Sequence, residues 1–324
     1  MKRFSGKRFS PVATPYGVRE SVYWLYKYAT GLSRLNADVV KAVPRIVTLN
    51  PEIKPCFRLA FAGDIMPVEA PVRIADRLKE FVGDADCFIA NFEGTISEAA
   101  RGALHVSDRR HSPATISLLK NIFPPERTFL SVANNHAGDF GEAAFFKSLY
   151  MLEAYGFHTF GCLDRPFADV NDGVRVTGGS AWSNRRADFI CRLNSPKKFS
   201  KPGAFNILFP HFGYEFELFP RRQTVALAWS LAEGFDALVG HHSHCPQPVT
   251  IEQNGHKAEN PQKLIAYSLG NFLATRRNKN YHSGLLLKLG LGRDRTGRLA
   301  AATLEWREIK ARQKPDKEFF IEIS

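Results

Sequence analysis

From Phe57 onward, short apolar runs alternate with stretches of helical period, and few architectures accommodate that alternation. Strands are expected at 57–62, 86–90, 128–132, 205–210 and 236–239, with helices near 71–82, 113–121, 141–155 and 220–234. Runs of this length interleaved with helices indicate an α/β domain with a substantially parallel core sheet. After Pro248 the pattern changes to strands without helices, at 264–268, 284–290 and 299–306, read as antiparallel strands completing a second sheet. Before Phe57, residues 1–16 read as disordered. From Ser21 to Val43, Val22, Leu25, Ala29, Leu32 and Leu35 recur at helical steps, giving a helix with a basic outer face. Pro44, Pro51 and Pro55 then separate a basic N-terminal arm and helix (1–55) from the main domain (56–324).

The composition excludes several classes. With 44% hydrophobic and 23% charged residues the chain reads as globular. No apolar run approaches the length of a membrane-spanning helix, and no apolar core follows the basic start, so neither a span nor a secretory signal is expected. Five scattered cysteines, none in a C-x-x-C pair, argue against a disulfide framework and for a reducing compartment. The net charge of +12 is concentrated at the start, where residues 1–50 carry nine Lys or Arg against Glu20 and Asp38. That arm could attract anionic lipid or an anionic polymer, or serve as an ordinary solvated segment.

Each expected strand is followed by a residue suited to metal or phosphate chemistry. Asp64 follows the first; Asn91 and Glu93 the second; Asn134, Asn135 and His136 the third, with Asp139 close behind. His211 follows the fourth, with Glu215 four positions on, and His241, His242 and His244 follow the last. Ligand sites of open α/β sheets lie at such strand ends. Single residues of these types also cap helices and fill turns, but five consecutive strand ends make that reading insufficient. Two carboxylates, one amide oxygen and three imidazoles form a mixed oxygen and nitrogen set suited to Zn, Mn or Fe. Such a centre would attract phosphate and acidify a bound water. His136 could stabilise charge on a transferring phosphoryl group or protonate the leaving oxygen. Cys245 could be a ligand or a small buried filler.

The order of these motifs resembles that of the calcineurin-like metallophosphoesterases, and their wording resembles the CapA family of poly-γ-glutamate and capsule synthesis proteins. The matching blocks are FAGDIMP (61–67), DCFIANFEGTIS (86–97), SVANNHAGDFG (131–141), HFGYEFE (211–217), LVGHHSHCPQPV (238–249) and IAYSLGNFL (265–273). The resemblance implies a metallophosphoesterase-like two-sheet sandwich flanked by helices (α/β/β/α), here with an N-terminal basic helical appendage. It implies Asp64, Glu93, Asn135, His211, His242 and His244 as metal ligands and His136 as the catalytic residue. Asn91, Asn134, His241, Glu215 and Asn271 fall to substrate binding or to support of the ligands. Two departures from the wider superfamily are shared with CapA-type sequences. Asp64-Ile65-Met66 stands where the superfamily has Asp-x-His, and Asn91-Phe92-Glu93 where it has a bridging Asp. One or two divalent ions therefore remain open.

These features lead to the expectation of a metal-dependent phosphoesterase tied to an anionic surface polymer, with a non-catalytic metal- or polymer-binding assembly factor as the alternative. The expected partners are a phosphate-containing or polyanionic substrate and an anionic membrane surface, the latter through residues 1–50. Nucleic acid is not an expected partner. The expected location is the cytoplasm, peripheral at the inner membrane face.

Overall fold

The computed structural model describes residues 16–98, 108–252 and 263–324. The stretch expected to be disordered, 1–16, lies almost wholly outside the described residues. Two sheets stack face to face. In the first, strands Phe57–Ile65, Cys87–Phe92, Thr128–Ser131 and His158–Phe160 run parallel in that spatial order. In the second, Val174–Ser180, Phe205–His211, Ala237–Val239 and Lys263–Ala266 run parallel, with antiparallel strands at both edges.

The period-2 alternation of strand Phe57–Ile65 sorts its side chains between two cores. Leu59 and Phe61 turn inward with Ile89, Phe129 and Phe160 to meet Val176, Ile207, Phe209 and Val239 of the second sheet. Phe61 and Phe209 rings lie 6.2 Å apart across that interface. Each such buried side chain contributes about 1.5–3 kcal/mol relative to exposure. Ala60 and Ala62 face outward, small enough to seat helices α2 (Asp76–Gly83), α3 (Ala114–Lys120) and α4 (Gly141–Ala154) through Leu78, Val82, Ile116, Leu119 and Leu152, when α1 denotes the N-terminal helix Val18–Thr30. On the far side, α5 (Arg222–Leu231) packs Ala228 and Leu231 on Leu208, Leu238 and Ile265. The layers are therefore α/β/β/α.

Two placements differ from expectation. Strands Ser283–Arg293 and Leu299–Gln313 are antiparallel, but they extend the first sheet: Ser283–Arg293 pairs directly with Phe57–Ile65. Of the three expected strands only Lys263–Ala266 enters the second sheet, parallel to Ala237–Val239 and antiparallel to the edge strand Val249–Glu252. Strand periodicity reveals which face is buried, and it carries no information on which sheet supplies the partner. The N-terminal helix ends at Thr30, and strand Ile46–Thr48 joins the first sheet against Leu299–Gln313.

That helix is also turned over relative to its apolar stripe. Val22 and Leu25 are about 60% exposed, whereas Lys27 is 1% exposed. The surface beneath it is acidic. Lys27 Nζ reaches Glu217 Oε1 and the Glu215 carbonyl, both at 2.7 Å, and Arg221 bonds Glu20 and Glu217. A buried lysine needs such partners, and they decide which face docks.

Candidate metal centre

All the strand-end residues converge at one edge of the sandwich, and Asp64 occupies the middle. Its Oδ1 accepts a 2.8 Å bond from Asn91 Nδ2, and its Oδ2 a 3.0 Å bond from the backbone N–H of His242. Asn91 thereby fixes the carboxylate in one orientation. Gly63 is required beside it, because a Cβ there would lie 1.9 Å from the Gly270 carbonyl oxygen.

Two groups of donor atoms flank Asp64. In the first, ligand atoms of Asp64, Glu93 and His244 lie within 4.8 Å of one another, all fully buried. In the second, His211 Nε2 sits 2.7 Å from Asn135 Oδ1 and 2.9 Å from His242 Nδ1. A single proton serves three lone-pair atoms poorly, and a cation serves them well. The opposite edge of His211 is held from behind: Nδ1 lies 2.8 Å from His241 Nδ1, which in turn lies 3.2 Å from Asp64 Oδ1. Asp64, His211 and His241 form a further group whose atoms could hold an ion. We read His241 as the group that orients His211, because metal-binding imidazoles typically have such a partner on the other nitrogen. Asn271 does the same for His244, with Oδ1 3.0 Å from Nδ1, leaving Nε2 turned to Glu93 at 3.7 Å.

The residues fit a cation. Both Glu93 carboxylate oxygens and His244 Nε2 are buried with no hydrogen-bond partner among the described residues. Burial, with Asp64 next, pushes the Glu93 carboxyl well above its ordinary range. Burial also holds His211, His242 and His244 well below the ordinary imidazole value, so they present neutral nitrogens. A bound divalent ion would relieve the carboxylate and use those lone pairs.

The backbone is strained to build this site. His242 (φ 102°) and His244 (φ 57°) both occupy the left-handed region, which non-glycine residues rarely adopt. Gly240 allows close approach beside this segment, since a Cβ there would lie 2.4 Å from the Tyr267 carbonyl oxygen.

His136 stands beside the first group, with Nε2 3.6 Å from Glu93 Oε1 and Nδ1 2.7 Å from Asp139 Oδ2. Asn134 braces that turn through the backbone of Phe92 and of His136. Glu215 reaches the imidazoles from the loop after His211, 3.9 Å from both His242 Nε2 and His244 Nε2. Cys245 donates to the Glu217 carbonyl and is a buried filler. Arg221 and Arg222 are engaged with Glu20, Glu217 and Asp38.

Several contacts were not legible in the motifs. The Trp182 ring packs edge-on against His242 at 4.7 Å, and Asn184 Nδ2 lies 3.4 Å from His136 Nε2. The Arg109 side chain lies 3.9 Å from Glu93 Oε1. The Tyr16 hydroxyl lies 3.4 Å from His242 Nε2. These residues sit on irregular segments or on the appendage, where no periodicity marks them.

The profile of the family described as Bacterial capsule synthesis protein PGA_cap matches residues 58–173 and 186–276, which carry every proposed ligand. The chain belongs to this family. Among its relatives is the PGA biosynthesis protein CapA of Bacillus subtilis (strain 168), 22% identical over 301 residues, which cover 82% of this chain and 75% of the relative. The Capsule biosynthesis protein CapA of Bacillus anthracis is 24% identical over 251 residues, covering 66% of this chain and 59% of the relative. Among solved structures, a Staphylococcus aureus protein assigned as a 5'-nucleotidase, in complex with alpha-ketoglutarate, superposes over 77% of this chain and 54% of its own. That superposition has a TM-score of 0.43 and 12% identity. Trp182 and Asn184 fall in the segment 174–185, outside the family match.

Proposed function

We propose that this capsule-synthesis family member is a metal-dependent phosphoesterase acting on a phosphate-containing intermediate or end of an anionic surface polymer. The observation that carries the reading is the gathering beside Asp64 of Glu93 with His244 and of Asn135 with His211 and His242, with the Glu93 carboxylate between His244 and His136. On this reading Asp64, Glu93, Asn135, His211, His242 and His244 hold one or two divalent ions of Mn, Zn or Fe. Such ions would supply positive charge for a phosphate and would lower the pKa of a water.

The chain's own residues supply the rest. Asp139 holds His136 with a proton on Nδ1, so Nε2 faces the reacting phosphate. Burial, followed by the charge of Arg109, keeps His136 well below the ordinary imidazole value until an anion arrives. A phosphate ester beside it favours the protonated ring, which then donates from Nε2 to the leaving oxygen. Arg109 adds positive charge on the Glu93 side, and Trp182 with Tyr16 excludes water over His242.

The alternative, a non-catalytic assembly factor, has one observation in its favour: Met66 occupies an apolar cluster where the superfamily has an imidazole. Hydrolysis of p-nitrophenyl phosphate and its bis ester with Mn or Zn separates the two. The phosphoesterase reading expects turnover that His136→Ala lowers by about 10²–10⁴-fold. Equal inertness of wild type and variant, with metal bound, would leave the assembly role.

No described helix is long and apolar enough to cross a membrane. The proposed site of action is the cytoplasmic face of the membrane. Support comes from the outward face of α1, where Val18, Val22, Leu25 and Tyr26 are exposed beside Arg19, and from five free thiols. Sedimentation with phosphatidylglycerol vesicles should capture the protein, and Val22→Glu with Leu25→Glu should release it. Equal capture of both would remove this assignment.

A further inference from the structure

Sequence comparison leaves the first donor group one imidazole short, because Met66 replaces the second residue of the superfamily's Asp-x-His pair. The structure shows where that side chain went. Met66 is fully buried among Phe216, Ala274 and Tyr281, with Trp24 and Leu32 packed against the cluster. Phe216 and Tyr281 also flank His244, with ring centroids 6.1 and 5.0 Å away. The apolar cluster that holds Met66 thus abuts His244 of the donor group.

A carboxylate reaches the same histidine from the loop that carries Phe216. Phe216 adopts φ 61°, strained for a bulky residue, and this local reversal sends its ring into the Met66 cluster and the preceding Glu215 toward the imidazoles. Glu215 Oε2 lies 3.9 Å from His244 Nε2, and Oε1 lies 3.9 Å from His242 Nε2. His244 Nε2, which also lies 3.7 Å from Glu93 Oε1, and both Glu93 oxygens are fully buried with no hydrogen-bond partner among the described residues. Glu215 is held there by α1: Trp24 Nε1 donates a 2.7 Å bond to its Oε2, and Lys27 binds its carbonyl oxygen.

We infer that Glu215 is a metal ligand that replaces the missing imidazole, and that Trp24 of the N-terminal helix is its positioning residue. The inference rests on the metal-centre reading above and deepens it. The first group becomes Asp64, Glu93, Glu215 and His244, three carboxylates and one imidazole, a harder set than the superfamily pattern. Such a set favours Mn²⁺ over softer competitors. It also makes the N-terminal helix part of the centre.

The test is Mn²⁺ titration of metal-stripped full chain, read by calorimetry and by the Mn²⁺ electron paramagnetic resonance spectrum, with thermal melting in EDTA alongside. Glu215→Gln keeps the shape and the indole acceptor. It is expected to weaken Mn²⁺ binding at least ten-fold and to change the bound-ion spectrum. Its metal-free melting temperature should match that of wild type, because the acceptor for Trp24 Nε1 is kept. Trp24→Phe should give a smaller loss of affinity with the wild-type ligand spectrum. Wild-type affinity and spectrum in Glu215→Gln would overturn the inference while leaving the metal-centre reading intact. Absence of Mn²⁺ and Zn²⁺ binding by wild type would overturn both.

Discussion

His136 Nδ1 lies 2.7 Å from Asp139 Oδ2, and both side chains are buried. The same Asp139 oxygen accepts the backbone N–H of Arg109 at 2.8 Å, so one carboxylate sets both the imidazole and a neighbouring cation. Neutral imidazole has one proton, and Asp139 keeps it on Nδ1. Asp139→Asn permits the opposite tautomer. Turnover of a phosphate ester should fall about 10²–10⁴-fold, with metal content unchanged. Turnover near wild type would remove His136 from proton transfer.

The buried pair Lys27 and Glu217 ties α1 to the domain, with side chains 2% and 3% exposed. Lys27→Met leaves Glu217 with Arg221 alone and removes the bond to the Glu215 carbonyl. Breaking a buried pair on one side costs about 3–5 kcal/mol. The remaining Arg221 contact places the expected loss near the lower figure. Urea unfolding measures it; a change within error of zero would mean that α1 docks by other contacts.

Acid should release the same helix. The hydrogen bond from Arg221 is the main cause that holds the Glu20 carboxyl below its ordinary value. A depressed folded value means that folding favours the ionised form. The contribution is therefore complete above the unfolded glutamate value of about 4.3, and is lost as pH falls through the lower folded value. Protease cleavage near α1, followed from pH 6 to 3, should rise over that window. Glu20→Gln should be cut faster at pH 6 and show a flatter profile. Parallel profiles for the two proteins would exclude this linkage.

The extent to which sequence anticipated this molecule follows from what each signal encodes. Apolar strands ending in Asp64, Glu93, Asn135, His211 and His242 were legible because a parallel sheet brings its carboxyl ends together wherever they lie in the chain. Sheet membership after Pro248 was not, since strand Ser283–Arg293 chooses its partner by long-range packing. The buried face of α1 departs from its apolar stripe because Lys27, a residue normally left in water, has an acidic surface waiting for it. Trp182 and Asn184 carry no signal in the sequence because a loop contributes them from 60 and 48 positions away from the histidines they touch.

The central claim is that the strand ends form a divalent-metal centre, and elemental analysis of the purified chain tests it most directly. The account predicts at least one equivalent of Mn, Zn or Fe per wild-type chain, lost in Asp64→Ala and in His242→Ala while both variants retain their fold. A wild-type chain that binds none of these ions, or folded variants that retain the full metal content, would contradict it.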